Sequence, residues 1–209
     1  MKPWKTLATS TVPGGSVLTL QQRDVEYAIR CNGQTLMTSR QTGSERAMAE
    51  AACVSKTVRR ILIGGLGMGF TLRAVLDALP ATAHVTVAEL SAAVIDWNHG
   101  VLAPLAASPL SDLRVTVVNK DVRKAYKGGP FDAILLDVDN GPVAMTKDSN
   151  DSIYDDNGLA QAAAALIPHG TLVVWSAGPD QKFVRRLENL GFTASSRAVG
   201  RHVLFIAST

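Results

Sequence analysis

The glycine run Gly64-Gly65-Leu66-Gly67-Met68-Gly69 follows the apolar Ile61-Leu62-Ile63 and leads directly into FTLRAVLDAL. A strand, a glycine turn and a helix in that order form a cradle. Gly65, Gly67 and Gly69 let a ligand approach the backbone, and the helix start presents N–H groups without intrahelical partners. No Gly-Lys-Ser/Thr follows, so the cradle is not a P-loop. Twenty residues past Gly69, Glu89 ends the second strand, within HVTVAEL. An acid there can accept hydrogen bonds from two ribose hydroxyls, as in dinucleotide-binding sheets. Asp121, followed by Val122, ends RVTVVNKD. It can accept from an adenine amino group, and it equally fits an N-cap for VRKAY. Asp137 and Asp139 close FDAILLDVD. Strand alternation puts both on one side. Two close carboxylates push their pKa values apart, which suits one of them for base work. The pair also suits a cationic substrate, a divalent ion or an acidic capping loop.

Positioning these groups requires a particular order of elements. Residues 16–39 alternate apolar and polar side chains, and the Asn32-Gly33 step is a hairpin signal, so a small antiparallel β-ribbon comes first. A helix rich in Ala, Met and Glu runs from Ser44-Glu45 to about Lys56. From Arg59 on, strand-length apolar runs alternate with helical periods. GLAQAAAALI is a helix ended by Pro168-His169-Gly170, TLVVWSA a fifth strand, and FTASSRAV with RHVLFIAS a terminal pair joined at Gly200. The chain therefore reads as α/β. Residues 1–43 form a ribbon extension, and residues 44–209 a Rossmann-like, doubly wound seven-stranded sheet whose last strand is antiparallel. Such sheets bind ligands beyond the carboxyl ends of their strands, where Gly65, Glu89, Asp121 and Asp137 fall.

Composition narrows the classes. The chain has 209 residues, 46% hydrophobic and 19% charged, enough for a core without cross-links. A net charge of +3, scattered cations and 5% aromatics give nucleic-acid binding no support. Two cysteines make neither a disulfide framework nor a zinc site alone, and the four histidines lie on separate elements, so no metal is expected. No apolar stretch exceeds strand length, which points to a cytoplasmic protein without a membrane partner. No G-x-S-x-G elbow is present.

The glycine loop, ribose acid and following acid resemble the class I S-adenosylmethionine-dependent methyltransferase fold. The match extends to one branch, the spermidine synthase family of aminopropyltransferases, through NGQTLMTSRQTGSE, GGLGMGFTLRAVL, VAEL, NKDV and LLDVDNGP followed by Ile153-Tyr154. The resemblance implies Glu89 at the ribose, Asp121 with Val122 at the adenine, and Asp137 as the acid that helps deprotonate an attacking amine. It also implies Glu45 and Tyr154 at the substrate, Tyr154 as part of a lid, and a homodimer.

The departures bear on the reaction. The family's GGGDGG places an Asp where this chain has Met68 or Gly67, and its D-x-x-D ends here at Asn140, with Asp139 one residue early. An Asp at the first position repels the carboxylate of intact S-adenosylmethionine by about 4 kcal/mol at ~4 Å and an effective dielectric of ~20. Its loss favours the intact cofactor and methyl transfer to a small-molecule acceptor, a cationic amine among the candidates. Aminopropyl transfer from decarboxylated S-adenosylmethionine and a non-catalytic binding role are the alternatives. An open cleft among the acids favours an enzyme, and a cleft filled by Met68 and Phe70 favours binding alone.

Overall fold

The computed structural model describes residues 2–12, 15–40, 42–55, 57–138 and 151–209. Four antiparallel strands come first, β1 (Lys5–Thr11), β2 (Val17–Arg23), β3 (Glu26–Cys31) and β4 (Gln34–Thr38), hydrogen-bonded in that order. The expected turn joins β3 to β4, with Asn32 and Gly33 at φ 48° and 81°. The Asn32 side chain also accepts the Val17 amide at 2.8 Å. β1 is not visible in the sequence pattern. KTLATST buries no residue fully, and it is held by pairing to β2 across a bulge between Thr6 and Ala8.

The second sheet has seven strands. In chain order, α1 (Gly43–Ala52), β5 (Arg60–Gly64), α2 (Phe70–Ala78), β6 (His84–Ala88), α3 (Ala92–His99), β7 (Val115–Val118), α4 (Val122–Ala125) and β8 (Phe131–Leu136) precede residue 139. Then come α5 (Asp151–Tyr154), α6 (Asp156–Ala164), β9 (Leu166–Ser176), α7 (Gln181–Asn189), β10 (Thr193–Val199) and β11 (His202–Ser208). The order across the sheet is β10-β11-β9-β8-β5-β6-β7, with β9 through β7 parallel and β11 antiparallel to β9.

Period-two alternation sends successive side chains to opposite faces, and both faces are covered. Ile61, Ile63, Val85, Val87, Leu135 and Leu204 pack toward α1, α2 and the ribbon. Leu62, Ile134, Leu136, Val174 and Phe205 pack toward α4, α6 and α7. This is why β5 and β8 read as unbroken apolar runs, as strands covered on both faces do.

One boundary differs from expectation. α6 stops at Ala164, and β9 starts at Leu166 and passes through Pro168-His169-Gly170. The register slips there, from Phe131 opposite Leu166 to Ala133 opposite Thr171, and His169 has φ 63°. A bulge has no ladder bond for Pro168 to break, so the expected helix stop is an irregularity inside a strand. Among the described residues, no helix is long and apolar enough to cross a membrane.

Arg114 ties the edge of the sheet to a helix. Its guanidinium donates to the Leu76 and Leu79 carbonyls at the end of α2 (2.9 and 3.0 Å) and to the Asp112 carboxylate at 2.7 Å. It thereby satisfies carbonyls that a helix end leaves open. The Arg114 hydrogen bond holds the Asp112 carboxyl down, to about 2. A depressed carboxyl stabilises the fold above its unfolded value, near pH ~4, and that contribution is lost as pH falls toward ~2. Arg114→Ala is expected to cost about 2 kcal/mol in urea unfolding at neutral pH. Its stability curve should also lack the Asp112 part of the decline between pH ~4 and ~2, and an unchanged midpoint would refute the role.

Candidate functional site

Strand register puts the site in one row. Leu136 pairs with Gly64, Gly64 with Ala88, and Ala88 with Val118. The next residues, Asp137, Gly65, Glu89 and Asn119, therefore stand side by side at the carboxyl edge. The row is fastened by backbone bonds from Asp137 N–H to the Gly64 carbonyl and from Gly65 N–H to the Ala88 carbonyl, each 2.9 Å.

Gly65 has φ 91°, and a Cβ there would lie 2.2 Å from the Asp137 carbonyl oxygen. No other residue type permits that approach. Gly69 has φ 81° and caps α2 without a side chain. At Gly67 (φ 54°), a Cβ would meet Met37 Sδ at 2.8 Å, so the ribbon lies directly on the loop. Asn98 of α3, buried, donates to the Gly67 carbonyl at 2.8 Å and holds the loop from the other side.

Each carboxylate is positioned by identifiable groups. Glu89 accepts the Leu66 amide at 2.9 Å and the Ser91 amide at 2.8 Å, one on each oxygen. Two lone-pair directions per oxygen allow a carboxylate held this way to take further donors from a ligand. Asp137 Oδ2 accepts the buried Thr71 hydroxyl at 2.6 Å. Asp121 accepts the Arg123 amide at 2.9 Å and pairs with its guanidinium. The Arg123 hydrogen bond is the main cause that holds the Asp121 carboxyl below its usual range. The N-cap reading of Asp121 is thus realised on α4, while Asp121 and Val122 also line the cleft. Glu45 is buried at the start of α1 and accepts the Ser44 hydroxyl at 2.8 Å, and burial raises its pKa.

Gly65, Gly67, Glu89, Asp121, Val122, Asp137 and Glu45 all line one cleft of about 460 Å³ between the ribbon and the sheet edge, within the range usual for small-molecule sites. Gly69 shapes the turn and does not line the cleft. Asp139 lies outside the described residues.

Tyr154 is a correction. It is buried, its ring stands edge-on to Phe183 at 6.1 Å, and its hydroxyl donates to the Val138 carbonyl at 3.1 Å. Its neighbour Ile153 is the one that faces the cleft. Tyr154 belongs to the apolar layer beneath the sheet, where its aromatic area is covered and its hydroxyl finds a carbonyl. It does not line the cleft. Met68 and Phe70 form part of the wall, with Met68 wholly buried, and they leave the cleft open.

Thr71, Asn98, Met37, Trp175, Arg201 and His202 went unassigned in the sequence. Only Asn98 carried a signal, one turn along α3 from Val94, whose carbonyl it also takes at 2.9 Å. A second hollow, between α1 and α2 and lined by Arg46, Phe70 and Arg73, lies away from these carboxylates. Among the described residues, no three His, Cys, Asp or Glu side chains gather as metal ligands.

No protein-family model matches the sequence, and no curated protein sequence matches it. Solved structures do match. A spermidine synthase in complex with a transition-state analogue superposes with a TM-score of 0.79 over 98% of this chain and 73% of the other, at 16% identity. The spermidine synthase from Thermotoga maritima gives 0.76 over 98% and 72%, also at 16%. This chain has the spermidine synthase-like form of the class I methyltransferase fold. An O-methyltransferase family protein from Burkholderia thailandensis matches less completely, with a TM-score of 0.56 over 80% of this chain and 56% of the other, at 14% identity. In this spermidine synthase-like fold, the four-stranded ribbon and the sheet edge enclose the cleft together, so both sheets contribute to the site.

Gly65→Ala tests the joint on which the row depends. The substitution is expected to cost about 3 kcal/mol or more, from the clash and the positive φ combined. That lowers the melting temperature by about 6–12 °C. Gly178→Ala, with open space around it and no positive φ, is the control and should change little. Equal melting temperatures for the two variants would refute the constraint.

Proposed function

We propose that this protein is a transferase acting on a nucleoside sulfonium, S-adenosylmethionine in the first reading, and that it passes a methyl group to a small-molecule acceptor. The observation that carries the reading is the single cleft in which the glycine turn, Glu89, Asp121 and Asp137 meet at the ends of adjacent parallel strands. The residues fit such a nucleoside. Glu89 would take the ribose hydroxyls, Asp121 and Val122 the adenine edge and face, and the Gly65–Gly67 turn the amino-acid tail. A bound sulfonium supplies an already activated leaving group.

The protein's task is then orientation and proton removal. Thr71 fixes the carboxylate of Asp137 at the cleft wall, where it would accept the proton lost by the attacking nucleophile. The ribbon, through Leu18, Ile29 and Met37, would exclude water from the acceptor.

Residue chemistry favours methyl transfer, whereas the fold comparison does not favour it over aminopropyl transfer. Among the described residues, the acids lining the cleft are Glu45, Glu89, Asp121 and Asp137. None comes from the glycine turn, where an acid would repel an intact carboxylate tail. The second reading, aminopropyl transfer from the decarboxylated compound, is supported by the spermidine synthases among the matched structures.

Calorimetric titration with S-adenosylmethionine, its decarboxylated form, S-adenosylhomocysteine and methylthioadenosine separates the readings. Tighter binding of the two carboxylate-bearing compounds supports methyl transfer. Preference for the other two establishes the aminopropyl reading instead, and binding of none leaves a non-catalytic role. Glu89→Gln should weaken nucleoside binding by about tenfold or more, the size of lost charged hydrogen bonds. Asp137→Asn should preserve that binding and reduce transfer by about 10²-fold or more. Full activity of Asp137→Asn would remove Asp137 from the chemistry.

A further inference from the structure

The cleft has two ends. Glu89 and the glycine turn mark one. Trp175 of β9 and Arg201 and His202 at the start of β11 mark the other, and Leu18, Ile29 and Leu36 of the ribbon also line the cleft. Strands in a sheet lie ~4.8 Å apart. The order β11-β9-β8-β5-β6 therefore sets Arg201 about four spacings, roughly 19 Å, from the strand that carries Glu89. Arg201 belongs to the acceptor's end.

At the β11 edge the charged side chain lining the cleft is a cation, Arg201, which a di- or polycation would meet unfavourably. Among the described residues, the cleft-lining acids on this side of the glycine turn are Asp137, which is held by Thr71, and Glu45, whose pKa burial raises. Arg201 stands exposed at the hairpin tip, with no ion pair or side-chain hydrogen bond among the described residues. His202 packs against Trp175 with ring centroids 4.8 Å apart. Burial first, and then the Arg201 charge, lower the His202 pKa. A neutral imidazole against an indole makes a flat aromatic wall beside a guanidinium that has no ion-pair partner among the described residues. Arg and an aromatic face together recognise a planar apolar body that ends in a carboxylate.

Resting on the transferase reading above, we propose that the acceptor is an apolar or aromatic molecule bearing an anionic group. Its ring lies against Trp175 and His202, and its anion meets Arg201.

The test is an NMR titration that follows the Trp175 indole resonance. The probes are 3-phenylpropionate, 3-phenylpropylamine and 1,4-diaminobutane, each added to the free protein and to the protein with S-adenosylhomocysteine. The acid is expected to bind about tenfold more tightly than the amine. Arg201→Gln should erase that preference, and Arg201→Lys should restore part of it. Neither substitution should move S-adenosylhomocysteine affinity. No response to the acid, an equal or larger response to either amine, or an Arg201→Gln variant that keeps the preference would overturn the proposal. Failure of S-adenosylhomocysteine to bind defeats the nucleoside reading alone, because the acid's preference and its loss in Arg201→Gln are also read on the free protein.

Discussion

The backbone of Asp137 passes Gly65 at a distance that a side chain would forbid, and the site depends on that approach. It lets β8 and β5 stay in register to their last residues, so that the Asp137 amide reaches the Gly64 carbonyl. The same glycine, at positive φ, turns the chain out of the sheet early enough for Leu66 to present its amide to Glu89. Three strands and two carboxylates are thus fixed by one missing methylene. A wider turn would separate Glu89 from Asp137 and dissolve the row.

Much of this was legible in the sequence because it is periodic or sterically forced. Unbroken apolar runs such as Ile61-Leu62-Ile63 can satisfy two faces only inside a covered parallel sheet. Asn32-Gly33 and the glycines at 65, 67 and 69 announce backbone that other residues avoid. What was not legible came from pairing and from long-range partners. β1 is polar and owes its strand state to β2. Pro168-His169-Gly170 has the composition of a turn, but Leu166 and the residues from Thr171 on keep β9 paired to β8 on both sides of it. Tyr154 reads as a mobile aromatic beside a site. Its burial against Phe183 depends on α7, some thirty residues later. Thr71 gave no signal because its partner, Asp137, lies 66 residues away.

The resemblance of sequence motifs and the likeness of folds agree on the scaffold and diverge on the chemistry. The divergence is local. A fold comparison weighs every backbone position equally, whereas the reaction turns on a few side chains at the cleft wall. At 16% identity the backbone route survives while those side chains are open to exchange. The glycine turn carries no acid, and the ribbon's Met37 presses against Gly67 where a longer residue would not fit.

That contact also explains why the two sheets act as one unit. The ribbon has Leu18, Leu20 and Ile29 buried toward the main domain, and its other face is largely polar. It cannot move away without exposing apolar surface, at about 25 cal/mol per Å². Met37 rides on that packing, so the glycine turn is braced from the ribbon as well as from Asn98. The glycine-turn end of the cleft is therefore stiff, built from backbone and buried amides. The β11 end is a different material, with the Trp175 and His202 rings and a guanidinium on an exposed turn. On the proposed function, rigidity where the nucleoside would sit and exchangeable side chains where the acceptor would sit would let such a scaffold hold one cofactor while its acceptor changes.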